Sequence, residues 1–359
     1  VNEAAVKGDR LVSNWILLLA AMVFGMVAGG GHARTIGAGF ALQVWQPVTG
    51  FIPPLTTAAW QHLFVLFQQT AQYQAHPVAM GQFKALVWPM FIDRDWGRLM
   101  ALVFLLPLIW FTTTRRISAR LAAWLVAIFA MGAAQAAFGW LIVVSGRHAG
   151  VLTPPPALAA PHFLSAMLIL GALLWTGLSL RRPAPPPVPA AGLVPWVTAS
   201  LLLIFVTMGF GALVATTGAI AIYHSFPLMD GQVLPGAAWA LHPALANFIL
   251  NPAMVQFCHR GLASLTALTV LGTAIAGLRA DLPDGLRDNF LVLAGLVALQ
   301  YLLGMATIVL GNQTMGYVHE LNGVLLFAAC VGARHGLRGA VKAPMLSSSL
   351  PAQGQTAHE

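Results

Sequence analysis

The sequence predicts an all-α integral membrane protein with eight transmembrane helices, built from two copies of a four-helix unit. Three observations carry this reading. The chain is 58% hydrophobic and only 8% charged, with a mean hydropathy of +0.78, whereas a soluble domain carries about 25% charged residues. Eight apolar runs, at 12–30, 96–113, 121–144, 160–180, 194–214, 257–278, 289–310 and 318–334, approach the roughly 20 residues needed to cross a hydrocarbon core of about 30 Å. The same short patterns also recur, in the same order, in both halves of the chain.

The charges orient the runs. The net charge is +8, but its placement argues against nucleic acid as a partner. Lys7, Arg10, Arg115, Arg116, Arg120, Arg181, Arg182, Arg279, Arg287, Arg334, Arg338 and Lys342 fall on one side of an eight-helix arrangement. An excess of Lys and Arg marks the cytoplasmic face. Both termini are therefore expected in the cytoplasm, with the longer loops 31–93 and 215–256 facing outward. The first run lacks a small-residue cleavage site followed by a soluble domain, so it reads as a retained helix. Short loops and the lack of an Arg-rich transit segment favour a bacterial plasma membrane.

The repeat is read from matched positions. "QAAFGWLIVVSG" in the third run and "QYLLGMATIVLG" in the seventh share Gln135 with Gln300, Gly139 with Gly304 and Gly146 with Gly311. After the first run Thr35 and Gly37 stand where Thr216 and Gly218 follow the fifth. The expected units are 1–180 and 196–338. They are joined by a proline-rich, stiff cytoplasmic linker at 181–195 and followed by a disordered tail at 339–359. Cys258 and Cys330 are expected near opposite faces of the bilayer, so no disulfide joins them.

Four chemically distinctive residues open the even-numbered runs: Asp93, His162, His259 and His319. Ionisable groups inside membrane spans are costly and mark function. His259 and His319, at equal depth in one half, suit bis-imidazole ligation of a heme iron. A solvated interfacial histidine is the bland alternative. Arg94 and Arg260 suit either interfacial anchoring or a heme propionate. Glu320 either orients His319 or faces water. His32, His62, His76, His148, His224 and His242 read as solvated loop residues, with His335 and His358 on the cytoplasmic side. Trp45, Trp60, Trp88, Trp96 and Tyr223 read as an interfacial belt. No HExxH, paired CxxC or phosphate-loop pattern is present. A two-repeat ion transporter is disfavoured because no carboxylate sits near the middle of a run.

The segments "GGHARTIGAGFALQVWQPVTGFIPP", "QFKALVWPMFIDRDWGRL", "GWLIVVSG", "HFLSAMLILGALLWTGL", "SFPLMDGQVLP", "NPAMVQFCHR" and "VHELNGVLLF" resemble the heme A synthase family (Cox15/CtaA type) from about residue 12 to 338. The resemblance implies two four-helix bundles related by a pseudo-twofold axis. It implies a heme b cofactor held by His259 and His319. It also implies an N-terminal half that receives heme O and oxidises its C8 methyl to the formyl of heme A, with His162 as a ligand. The family's Glu and His of the second helix are Met90 and Asp93 here, while Arg94, Gly97 and Arg98 are kept. Pro161 before His162 is atypical, Val44 stands where an acidic residue is expected, and the loop cysteine pair of some relatives is absent.

Three readings follow. The protein is a divergent heme A synthase, with Asp93 as acid, base or ligand and Met90 as a conceivable thioether ligand. Alternatively, it is a heme b-binding electron-transfer, heme-handling or respiratory-complex subunit whose N-terminal site is empty or altered. Or it is a structural protein without heme. The partners implied are the heme substrate, membrane lipid, heme O synthase, and terminal oxidase assembly or other respiratory-complex subunits. A homo-oligomer is compatible with all three.

Overall fold

A computed structural model of the chain describes residues 3–181 and 187–341, and the side chains from residue 10 onward. Eight helices long and apolar enough to cross a membrane are present among the described residues. They are α1 Glu3–Thr35, α2 Met80–Thr113, α3 Ala119–Ser145, α4 Pro156–Arg181, α5 Leu193–Thr217, α6 Pro252–Arg279, α7 Asp284–Leu310 and α8 Gln313–Gly336. No strand occurs among those residues; two isolated bridges do, Val188 with Ala340 and Met229 with Gln232.

Helix starts follow local chemistry. Ser118, Asn251 and Asn312 cap α3, α6 and α8 through side-chain oxygens that accept from backbone N–H groups, which relieves donors left open in the first turn. Pro252 follows the Asn251 cap at the first helical position, where its missing N–H costs nothing. Gly37 and Gly218, matched in the repeat, both lie in the left-handed region at φ 71° and 74°, which a side chain would disfavour.

The helices begin well before the apolar runs. Helices α2, α4, α6 and α8 start ahead of their apolar runs, with Pro156 opening α4 and Pro252 opening α6, so Asp93, His162, His259 and His319 are not at helix mouths. Each stands at least six residues inside its helix. Hydropathy locates the lipid-crossing stretch and misses helical turns that are buried by protein.

In the N-terminal half α1 packs on α2 and α4, and α3 packs on α2 and α4. In the C-terminal half α5 packs on α6 and α8, and α7 packs on α6 and α8. Each half is thus a ring of four helices, as the repeat predicts. Between halves α4 meets α8, α1 meets α8, and α5 meets α4. Those last two contacts are equivalents under the repeat. One continuous apolar core, including Ile16, Leu19, Leu173, Val197, Phe290 and Phe327, runs through both halves. It lies toward the end of the bundle that carries the termini.

Two segments refine the expected boundaries. Helix α5 begins at Leu193, inside the expected linker. Val188 and Ala191 hydrogen-bond with Gly339 and Val341, so 339–341 are ordered against the end of that linker. Residues 182–186, with most of the proline run, and 342–359, with the rest of the tail, lie outside the described residues. Cys258 and Cys330 are free thiols.

Candidate functional site

A cavity of about 330 Å³ has Thr207, Gly211, His259, Gln300, Gly304 and His319 of the C-terminal ring in its wall and reaches Arg34, Phe40 and Phe163 of the N-terminal half. The His259 and His319 rings stand with centroids 6.3 Å apart and planes at 81°. Two imidazoles facing one metal across bonds of about 2.0–2.1 Å have centroids about 6 Å apart. His319 Nδ1 lies 3.0 Å from the Gln300 carbonyl and its Nε2 lies 3.2 Å from the Gln300 side-chain nitrogen. With the proton on Nδ1, the Gln300 carbonyl fixes the ring, and the Gln300 side-chain N–H donates to the Nε2 lone pair that a bound metal would take in its place. His259 Nδ1 is buried without a well-formed hydrogen bond, and the Thr207 backbone lies beside the ring.

Glycine makes room for both rings. A Cβ at Gly304 would lie 3.0 Å from His319 Cε1, and one at Gly211 would lie 3.3 Å from His259 Cε1. The N-terminal half repeats this: a Cβ at Gly139 would lie 3.2 Å from His162 Cε1. No cluster of three or more His, Cys, Asp or Glu side chains fit to hold a metal occurs among the described residues. Two facing imidazoles suit a metal that brings its own in-plane ligands, as a heme does. The residues present therefore fit a heme.

The arginines behave as a repeated pair. Arg94 donates to the Leu42 and Val44 carbonyls at 2.7 Å each. Arg260 donates to the Tyr223 carbonyl at 2.7 Å and the Ser225 carbonyl at 2.8 Å, with Leu228 at 3.2 Å. Leu42 and Tyr223 stand 181 residues apart, as do Val44 and Ser225, and as do Thr35 and Thr216. The same guanidinium thus staples the same loop in each half. Each is held by loop carbonyls and is thus more than a plain interfacial anchor, while Arg260 Nε keeps an N–H without a protein partner. Arg98 donates to the Gln46 and Pro47 carbonyls at 2.7 and 3.1 Å and pairs with Asp95. Arg260→Leu removes a largely buried charge-assisted staple and is expected to cost about 3 kcal/mol, read as a lower midpoint of thermal unfolding in detergent.

The N-terminal half departs at the ligand position. Asp93 Oδ1 and His162 Nδ1 are both buried without a hydrogen bond. Such orphans are rare in native proteins and call for a partner. The backbone of Gly29 passes directly against the Asp93 carboxylate. His162 stacks on Phe138 with centroids 6.1 Å apart, and Gln135 donates to its carbonyl at 2.7 Å. Met90 does not join this group. It packs against the outer apolar cluster of Phe67, Phe83 and Val87, away from the role of a thioether ligand.

Several other expectations change. Glu320 pairs with Arg34 across the two halves, so it neither orients His319 nor faces open water. Trp60 is buried against Phe83 and leaves the interfacial belt. His224, although exposed, reaches the Ile308 carbonyl at 2.9 Å. Gln135 and Gln300 were visible in the repeat, but their contacts with His162 and His319 are not deducible from spacing alone.

Comparison with known proteins converges on one family. The COX15-CtaA family, described as cytochrome oxidase assembly protein, matches residues 13–331. The chain is 54% identical over 346 residues to Heme A synthase 1 of Acidiphilium cryptum (strain JF-5), covering 96% of this chain and 97% of that one. It is 39% identical to Heme A synthase 2 of the same organism, over 94% of each. It is 38% identical to Heme A synthase of Granulibacter bethesdensis, over 92% of this chain and 88% of that one. With the family's match running through all eight helices and both candidate sites, the chain belongs to the COX15-CtaA heme A synthase family.

Proposed function

We propose that this protein is a heme A synthase-type membrane oxidoreductase, which oxidises the C8 methyl of heme O to a formyl group in its N-terminal half. The observation that carries the reading is the paired arrangement of His259 and His319 around a cavity, repeated in outline by His162 and Asp93. His259 and His319 hold a heme b, which when bound supplies a one-electron redox centre. His162 holds the heme substrate on its side of the N-terminal site. Converting a methyl to a formyl group with water as the oxygen source releases four protons, and four electrons that must pass to an external electron acceptor. The N-terminal site therefore needs a group that takes protons, and Asp93 Oδ1 is the buried carboxylate oxygen placed to do so. Arg94 and Arg98 hold the loop that closes over this site.

The reading is tested on protein expressed in cells that make heme O but lack their own heme A synthase. Heme extracted with acid-acetone and separated by chromatography is expected to contain both heme A and heme b. Heme b alone, about one per chain, would overturn synthesis and leave an electron-transfer or heme-handling protein on the same scaffold. The replacement of the family's Glu and His by Met90 and Asp93 is the feature that favours that second reading.

A further inference from the structure

The loop after α1 has an unusual composition. No Asp, Glu, Lys or Arg occurs between Arg34 and Lys84. Within it, Val48, Phe51, Ile52 and Leu55 are 80%, 61%, 58% and 79% exposed. Contiguous exposed apolar side chains of this size mark an interaction surface. The short helix that follows, Thr57–Gln68, buries Trp60, Leu63 and Phe67 inward and leaves Val65 53% exposed outward.

The depth of this surface follows from Arg98. The Arg98 guanidinium holds the carbonyls of Gln46 and Pro47, so the start of the loop lies one arginine side chain from residue 98, displaced toward the N-terminal end of α2, to which helical side chains lean. Helix α2 ends at Thr113, followed by Arg115 and Arg116, which mark one membrane boundary. At about 1.5 Å per residue, Arg98 is about 22 Å from that boundary, less than the hydrocarbon thickness of about 30 Å. Any tilt of α2 puts Arg98 deeper still. With the length of the Arg98 side chain added, the stapled loop begins near the far boundary of the hydrocarbon core, where water still reaches open backbone groups and exposed apolar side chains enter the acyl region.

We propose that residues 45–58 form a strap seated in the lipid leaflet opposite the chain termini, with phospholipid acyl chains as the occupant of its exposed face. The absence of charge removes the penalty that a loop of ordinary composition would meet there. Backbone polarity is met in part by protein: Arg98 takes two carbonyls, and Gly50 N–H donates to the Gln46 carbonyl at 3.2 Å. Trp45, at the start of the strap, packs on Trp140 of α3 with centroids 5.2 Å apart. Arg94 lies over the same Trp140 ring at 5.9 Å. The strap thus links the lipid leaflet to the residues flanking Asp93.

The test uses single cysteines at positions 52 and 55, introduced into a Cys258→Ala, Cys330→Ala background, labelled with an environment-sensitive fluorophore and reconstituted in phosphatidylcholine vesicles. Spin-labelled lipid is expected to quench both labels at least twofold more than aqueous iodide does. A label at position 76, in the connection before α2, should show the reverse. Quenching by iodide at 52 and 55 would overturn the proposal, as would protection from both quenchers, which would mean that a second copy or another protein covers the strap. On the unmodified protein in the same vesicles, a photoactivatable phosphatidylcholine should label peptides containing 48–55. Absence of that label, with labelling of α3 in the same sample, would also overturn it.

Discussion

Replacing either His259 or His319 with alanine is expected to lower bound heme b from about one per chain to less than a tenth of that. Absorbance of extracted heme per mole of purified protein measures it. The two rings stand 6.3 Å apart between centroids, so each imidazole would hold the heme from one side, and losing one would leave the other without its counterpart. Removing even the hydrogen-bond partner of a ligand typically costs 10–100-fold in metal affinity, and removing the ligand costs more. Methionine at either position keeps a thioether that can ligate iron. His259→Met and His319→Met should therefore retain more heme than the alanine variants, with a shifted spectrum. A purely structural role would show no such rescue. Gly304→Val approaches the same site from the neighbouring helix, because even a Cβ there stands 3.0 Å from His319 Cε1. It should alter the heme spectrum while the histidines remain. Full heme retention in both alanine variants would refute the ligand assignment.

In the N-terminal half, His162→Ala and Asp93→Ala are each expected to reduce heme A formation by at least 100-fold while heme b remains near one per chain. Acid–base groups contribute about 10²–10⁴ in rate, and neither residue lines the C-terminal cavity. Heme A and heme b are quantified in the same extract, so loss of the whole protein is distinguishable from loss of the reaction. Asp93→Asn keeps the shape and removes the charge. If it behaves as Asp93→Ala, the carboxylate is the requirement; if it retains activity, the carboxylate has no proton-handling role. Restoring the family's histidine with Asp93→His should not lower heme A production. Adding Met90→Glu carries a separate cost, because Met90 packs against Phe83 and Val87, and an unpaired carboxylate there is penalised by burial.

Much of the architecture was legible because the bilayer imposes it. Eight apolar runs became eight helices, since every backbone polar group in lipid must be satisfied within its own segment. The matched Thr, Gly and Gln positions gave the duplication, and the two rings of four helices follow it. Helix starts were placed too late in α2, α4, α6 and α8, because each helix extends N-terminally beyond the stretch that its apolar run marks. Asp93, His162, His259 and His319 were singled out as chemically costly positions, and each lies within a helix. Their true depth inside the helices was missed for the same reason.

What the sequence determined by itself is the membrane class, the eight spans, the duplication, and the fact that one copy carries Asp where the other carries His. Those are properties of local composition and of spacing, and a chain carries them before it folds. Only the tertiary structure decided the partners. It stapled Arg94 and Arg260 to loop carbonyls, packed Met90 against an apolar cluster, and paired Glu320 with Arg34 from the other half. It set Gly139, Gly211 and Gly304 against histidines of neighbouring helices. Each of these contacts joins residues whose side-chain directions depend on how helices rotate and pack, and spacing along the chain does not contain that rotation.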